Sequence, residues 1–213
     1  MHAEIARKEI IDMCKEIIKL KEEHNYDFSN YFDLNRIDDD AENLVNEFMQ
    51  NPDYGLKSDE IKVPVLEIAK KMGFKVYTAE FYDRDLSGTI GISESLREKY
   101  GSSRVIILNN QDSDEHILFT LCHELAHYIY DYQCNINLEY SNTYRTGEPT
   151  NNQEIRANRF AAAFLMPKKS FIDSYKSFSK DTDDQNAVVR FLSKKFSAPE
   201  TAVRMRIAEL LNG

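Results

Sequence analysis

The sequence predicts an α+β fold, because segments with the period of helices lie on both sides of a middle region that holds short strand patterns. These patterns lie at 74–78, 87–93 and 104–109, are rich in β-branched residues and are bounded by glycine or polar turns. We expect them to form a small sheet packed on helices, with helical extensions at both ends of the chain.

Local signals mark the ends of the predicted helices. Three consecutive aspartates at 38–40 indicate a helix start, since acidic side chains stabilise the N-terminal end of the helix dipole. Pro64 opens another helix as a first-turn residue, and Gly73 ends it. Apolar spacing predicts the remaining helices at 4–23, 117–130, 153–166, 184–196 and 199–211.

Breaks in these patterns divide the chain into three predicted regions. We predict a helical N-terminal region at 1–55, a core that holds the sheet at 56–175, and a C-terminal helix pair at 176–213. Within the core, residues 133–152 are polar and without period. We predict a loop there, at the rim of a cleft.

Composition excludes several classes of protein. The 213 residues are 42% hydrophobic and 30% charged, which is typical of a soluble globular protein. The formal net charge of -9 argues against a general binder of nucleic acid or anionic membranes, although an acidic surface can meet a basic protein partner. The three cysteines are widely spaced and form no C-x-x-C pair, which favours a reducing compartment.

The N-terminus and the hydropathy pattern indicate location. The first residues lead into a charged amphipathic stretch, unlike a signal peptide. No window approaches the roughly 18 consecutive apolar residues of a membrane span. We expect a cytoplasmic protein of a microbe, with no membrane association.

The stretch from Ile117 to Tyr130 contains His-Glu-x-x-His inside an apolar run. Because positions i and i+4 share one face of a helix, His123 and His127 can offer two imidazole nitrogens to one metal ion. Glu124 then lies beside the metal, where it can take a proton from water, as in zinc peptidases. The alternative is two buried helix histidines that only satisfy hydrogen bonds.

A catalytic zinc also needs a third protein ligand and an open position for water. Metzincins use H-x-x-G-x-x-H, but here Tyr130 replaces the glycine and Gln133 the second histidine, which excludes that class. Glu154, 27 positions after His127 and early in an alanine-rich helix, is another candidate. From the residues alone, it can equally be an acid that favours a helix N-terminus.

Several segments between Val63 and Pro167 follow one known pattern. They are Val-Pro-Val-Leu-Glu-Ile-Ala at 63–69, Ser-Gly-Thr-Ile at 87–90, the strand at 104–109, Phe-Thr-Leu-Cys-His-Glu-Leu-Ala-His at 119–127, Glu-Ile-Arg-Ala-Asn-Arg-Phe-Ala at 154–161 and Phe-Leu-Met-Pro at 164–167. With these segments, about half of the chain resembles the ImmA/IrrE family of metallopeptidases. The two segments after residue 153 are the most specific.

The resemblance implies a zincin-like metallopeptidase core at 56–175, with a mainly antiparallel sheet and a gluzincin-like Zn2+ site. The implied zinc ligands are His123, His127 and Glu154, and the implied general base is Glu124. Family members often carry a second acid where this chain has Arg156, which leaves Glu154 as the third ligand.

Several neighbouring residues are candidates for further roles. A donor is needed for the developing oxyanion, and the available side chains are His116, Tyr140, Tyr144 and Arg145. Asp131 has the spacing to contact a ligand histidine, but we expect a solvated acid at a helix end. We expect Cys122 to pack in the core.

The expected activity is that of a zinc-dependent endopeptidase. The resemblance implies a helix-turn-helix transcriptional repressor as the substrate, encoded nearby on a mobile element or stress-response locus, whose cleavage relieves repression. One alternative is a regulatory binding protein that retains the zincin-like metal site without cutting. Another is direct DNA binding by the basic residues of the C-terminal helices, which are Arg190, Lys194, Lys195, Arg204 and Arg206. A solvated face is the simpler role for them, and we expect no direct nucleic-acid binding.

Overall fold

The computed structural model describes residues 34–50, 62–131, 138–144 and 152–211, with the backbone alone for 34–35 and 138–144. The predicted helix at 4–23 lies outside these residues. The described elements form a mixed α+β architecture with a four-stranded sheet, so the predicted fold class is confirmed. None of the helices in these ranges is long and apolar enough to cross a membrane.

The sheet has the strand order β1-β3-β2-β4. The strands are β1 (Lys75–Ala79), β2 (Leu86–Ile92), β3 (Arg104–Asn109) and β4 (Leu138–Tyr144). β1 pairs with β3 in parallel, while β2 pairs antiparallel with both β3 and β4. The sheet is therefore mainly antiparallel, and the first three strands lie within one residue of their predicted positions.

β4 lies in the region predicted as a loop, so that prediction is wrong for residues 138–144. The strand is mostly polar, and it stands at the end of the strand order beside β2. An edge strand is hydrogen-bonded on one side only and needs no continuous apolar run. Irregular register between β2 and β4 further weakens the alternating pattern that sequence analysis relies on.

Eight α-helices lie in the described ranges. They are α1 (Leu34–Gln50), α2 (Val65–Lys71), α3 (Leu96–Tyr100), α4 (Asp114–Ala126), α5 (Asn152–Leu165), α6 (Lys168–Phe178), α7 (Gln185–Phe196) and α8 (Glu200–Leu211). A π-helical turn, His127–Asp131, continues α4. Helix α6 was not predicted from the sequence, although Phe171, Tyr175 and Phe178 follow the spacing of one helical face. The predicted boundary at 175/176 lies within α6, and the division into three regions remains a prediction.

The helix start predicted at 38–40 is wrong, because α1 begins four residues earlier, at Leu34. Asp38 lies within the helix and is only 6% exposed. Its burial explains the discrepancy: the side chain serves tertiary contacts, not the helix end. A run of acidic residues cannot distinguish these two roles without knowledge of the partner.

The partners of Asp38 are two arginines from other helices. Arg159 of α5 donates from Nε and Nη2 to the two carboxylate oxygens, at 2.7 Å each. Arg206 of α8 donates from Nη1 at 2.8 Å and is fully buried. Arg206 therefore does not belong to an exposed basic face, and the cluster joins α1, α5 and α8.

We expect Asp38→Ala to destabilise the fold by about 3–5 kcal/mol, because it leaves two buried guanidinium groups without this carboxylate. The free energy of unfolding from a urea titration, followed by circular dichroism, measures the loss. Asp39→Ala is the matched control, since Asp39 is exposed on the same helix and its loss should cost less than about 0.5 kcal/mol. Equal unfolding midpoints for the two variants would contradict the structural role of Asp38.

Gly88 lets α4 pack closely on β2. A Cβ atom at this position would lie 2.6 Å from Cγ2 of Thr120 and 3.3 Å from Oε1 of Glu124. Both of these side chains belong to α4 and lie one turn apart. The missing side chain of Gly88 therefore sets the distance between the sheet and the helix that carries the His-Glu-x-x-His motif.

We expect Gly88→Ala to lower the free energy of unfolding by about 1–3 kcal/mol, because the new methyl group overpacks the interface. The double variant Gly88→Ala/Thr120→Ser removes the nearest methyl group and should recover part of the loss. Thermal and urea unfolding of both variants and of Thr120→Ser alone give the comparison. If Thr120→Ser adds to the loss instead of reducing it, the contact between these residues is not the cause.

Candidate metal centre

The C-terminal half of α4 is buried, and the two predicted ligand histidines lie in this buried part. His123 is 2% exposed and His127 is 4% exposed. Their Nε2 atoms lie 2.9 Å apart, because one helical turn separates the two rings. Both side chains therefore present a ring nitrogen to the same point.

Glu154 reaches that point from α5. Its carboxylate oxygens lie 3.2 Å from Nε2 of His123 and 3.3 Å from Nε2 of His127. Buried alanines on α5, among them Ala157 and Ala161, leave room for the two helices to approach. The structure thus brings together the three side chains predicted as ligands, and their ligand atoms all lie within 4.8 Å of one another.

The donor atoms fit a zinc ion by type and by spacing. Zinc accepts imidazole nitrogen and carboxylate oxygen, and tetrahedral bonds of its usual length separate neighbouring donors by about 3.3 Å. The separations of 2.9, 3.2 and 3.3 Å lie near this value. The Glu154 side chain is 33% exposed, so the group borders solvent on that side and water can reach it.

The second nitrogen of each ring also has a partner. Nδ1 of His123 lies 2.9 Å from Oδ1 of Asn158, and Nδ1 of His127 lies 2.5 Å from Oδ2 of Asp131. An oxygen acceptor keeps the proton on Nδ1 and leaves Nε2 to bind a metal. Asn158 was not predicted from the sequence, although its position four residues after Glu154 places it on the same helical face.

Asp131 corrects an expectation from the sequence. Its side chain is 6% exposed and contacts His127, so the preferred interpretation as a solvated acid at a helix end is wrong. The residue belongs to the π-helical turn, which buries the four positions before it. A π turn changes which side chains face the core, and apolar spacing alone does not reveal it.

Carboxylates around the histidines stabilise positive charge. Burial lowers the pKa of His127, but hydrogen bonds to Asp131 and Glu154 outweigh burial and raise the pKa to about 10. Hydrogen bonds from His123 and His127 hold the pKa of Glu154 well below its usual range. A proton and a metal ion are alternative positive charges at such a place, so the electrostatics favour a cation.

Glu124 lies beside the two histidines and is fully buried. Its negative charge contributes to the raised pKa of His127. Oε1 faces the backbone of β2 at Gly88, so the carboxylate occupies the narrow space between α4 and the sheet.

Cys122 and His116 do not belong to this group. Cys122 is fully buried, and burial raises the pKa of its thiol well above the ordinary value, as core packing requires. His116 contacts Oγ of Ser87 at 3.1 Å and lies two turns, about 10 Å, before His123 along the helix. The side chains of Tyr140, Tyr144 and Arg145 lie outside the described residues, so the oxyanion donor remains a prediction.

Comparisons with known proteins bear on the family and the fold of the chain. A family model described as the IrrE N-terminal-like domain, Peptidase M78, matches residues 69–208. No curated protein matches the chain. Among solved structures, a Mycobacterium tuberculosis transcriptional regulator has a similar fold, with a TM-score of 0.52 and 16% identity over 95% of this chain and 51% of that one.

The structural comparison supports the fold, and the family model supports the family. This chain spans about half the length of the mycobacterial regulator, and the low identity makes the likeness one of fold alone. The family model covers most of the chain and includes both helices of the candidate metal centre. The resemblance to the ImmA/IrrE family is therefore confirmed: the chain belongs to the Peptidase M78 family of IrrE N-terminal-like domains.

Proposed function

We propose that the protein is a zinc-dependent endopeptidase, with His123, His127 and Glu154 as zinc ligands and Glu124 as the general base. The observation that carries this proposal is the convergence of both Nε2 atoms with the Glu154 carboxylate. Membership of a metallopeptidase family supports it. The Asn158 and Asp131 partners of the two rings support it further, because ligand histidines in proteins usually have such partners.

The proposed mechanism assigns proton transfer to Glu124. Bound zinc would supply a Lewis acid that polarises the scissile carbonyl and lowers the pKa of water. Glu124 accepts the proton of the attacking water and returns it to the leaving amine. Its burial strengthens the interaction with the charges that develop, since water screens them less. Glu154 binds from the solvent-facing side, where a peptide can enter.

The proposed substrate is a helix-turn-helix transcriptional repressor, whose cleavage would relieve repression. The net charge of -9 suits a basic partner, and proteins that bind DNA carry basic surfaces. A gene for a small repressor in the adjacent reading frame would support this substrate. The proposed location is the cytoplasm, where such a repressor acts.

A second candidate is regulation by binding alone. The similar mycobacterial structure is named a transcriptional regulator, and this chain spans about half of it. In this alternative the metal centre would stabilise a binding surface and no peptide would be cut. The presence of Glu124 favours the endopeptidase, because a site that only holds a metal needs no general base.

We expect Glu124→Gln to retain about one equivalent of zinc and to lower the rate of peptide cleavage by about 100-fold or more, because the amide cannot accept the proton. Zinc content is measured by atomic absorption. Cleavage is measured by incubating the zinc-loaded protein with the purified repressor of the adjacent reading frame. The matched control is Glu115→Gln on the same helix, outside the ligand group. Undiminished cleavage by Glu124→Gln would refute this mechanism, and zinc binding without cleavage by the wild type would favour the second candidate.

We expect Glu154→Ala to weaken zinc binding on the order of 100-fold, because it removes one of three protein ligands. Competition with a chelating dye measures the affinity of the folded variant, and circular dichroism checks the fold. Glu98→Ala on the exposed face of α3 serves as the control. Unchanged zinc affinity in Glu154→Ala would show that a different residue completes the site.

A further inference from the structure

A buried arginine lies behind the Asp131–His127 pair. Nη2 of Arg156 donates to Oδ1 of Asp131, while Oδ2 of the same carboxylate contacts Nδ1 of His127. Arg156 is 1% exposed and Asp131 is 6% exposed. These contacts link Arg156 of α5 to Asp131 of the π turn, and Asp131 to the ring of His127, which faces Glu154.

Burying an unpaired charge costs free energy, and the guanidinium group of Arg156 is deeply buried. Its partners therefore fix the position of the side chain. Asp131 supplies the opposite charge at one side. The ring of Tyr130 lies beneath the guanidinium group, with the central carbon 5.2 Å from the ring centroid. Tyr130 itself donates to Asp40 of α1 at 2.8 Å. These contacts leave the guanidinium group little freedom.

Asp131 can orient His127 only while its carboxylate keeps one oxygen on Nδ1. Arg156 contacts the other oxygen, so it opposes rotation of the carboxylate away from the ring. Arg156 also comes from the same helix as Glu154, two positions farther along. One segment of α5 therefore supplies Glu154, which faces Nε2 of His127, and Arg156, which contacts the carboxylate at Nδ1 of the same ring.

We propose that Arg156 is a positioning residue of the metal centre, which acts through Asp131 to hold Nε2 of His127 toward His123 and Glu154. This inference rests on the proposed zinc site and adds a residue that touches neither metal nor substrate.

The test is the zinc affinity of a double-mutant cycle at one fixed pH. We expect Asp131→Asn to weaken zinc binding about 10–100-fold and Arg156→Gln about tenfold, as for other residues that support metal ligands. In the Asp131→Asn background, Arg156→Gln should add less than about threefold, because the two changes break the same chain of contacts. Arg156→Lys retains a positive donor and should restore part of the affinity. If Arg156→Gln does not fold by circular dichroism, the comparison of Arg156→Lys with Asp131→Asn still measures the contact.

Arg159→Gln is the control for general destabilisation. Arg159 is a buried arginine on the same helix, paired with the buried Asp38. Its replacement should lower the free energy of unfolding but change the zinc affinity of the folded protein by less than about threefold. The visible absorption of the cobalt-substituted proteins gives a second readout, which should change in Arg156→Gln and stay unchanged in Arg159→Gln.

Two results would overturn the inference: wild-type zinc affinity in Arg156→Gln, or an equal loss with and without Asp131. Failure of the proposed function would give a different experimental result. A wild-type protein that binds zinc and cleaves no repressor would contradict the endopeptidase, while the cycle would still measure the role of Arg156.

Discussion

Three charged side chains of α5 have partners on neighbouring elements, and two of them, Arg156 and Arg159, are buried charges that need such partners. Glu154 faces the two histidines of the motif, and Arg156 faces the π turn that follows them. Arg159 faces Asp38 of α1. Apolar contacts bring these helices together without fixing their register, since hydrophobic burial has no direction. The ionic pairs have direction, and they connect α5 to the π turn and to α1 at specific residues.

The candidate metal centre depends on two close contacts of α4. On one side, the alanines of α5 let Glu154 approach the histidines. On the other side, Gly88 lets β2 approach Glu124. The candidate ligands and the proposed base of this helix therefore lie against two different neighbours, α5 and β2. The distance from α4 to α5 is set by alanines, and the distance from α4 to β2 is set by a glycine.

The sequence predicts features that depend on local spacing and misses those that depend on partners. The i, i+4 histidines, the alanine-rich helix with Glu154 and three of the strands follow from periodicity and resemblance. The burial of Asp38 and of Asp131 does not, because an acid at a helix end and an acid paired with a distant arginine look the same in a sequence. β4 was missed because its pattern is short and polar, and its hydrogen bonds are to β2, far along the chain.

The ligand group joins two helices whose contributing residues lie 31 positions apart, from His123 to Glu154. A chain in which α4 and α5 have separated has no such group, so a bound metal stabilises only the assembled state. Free zinc at about 1,000 times its dissociation constant would add about 4 kcal/mol to the free energy of unfolding. The lifetime of the folded protein in a cell would then follow the supply of the metal, and scarcity would expose it to degradation.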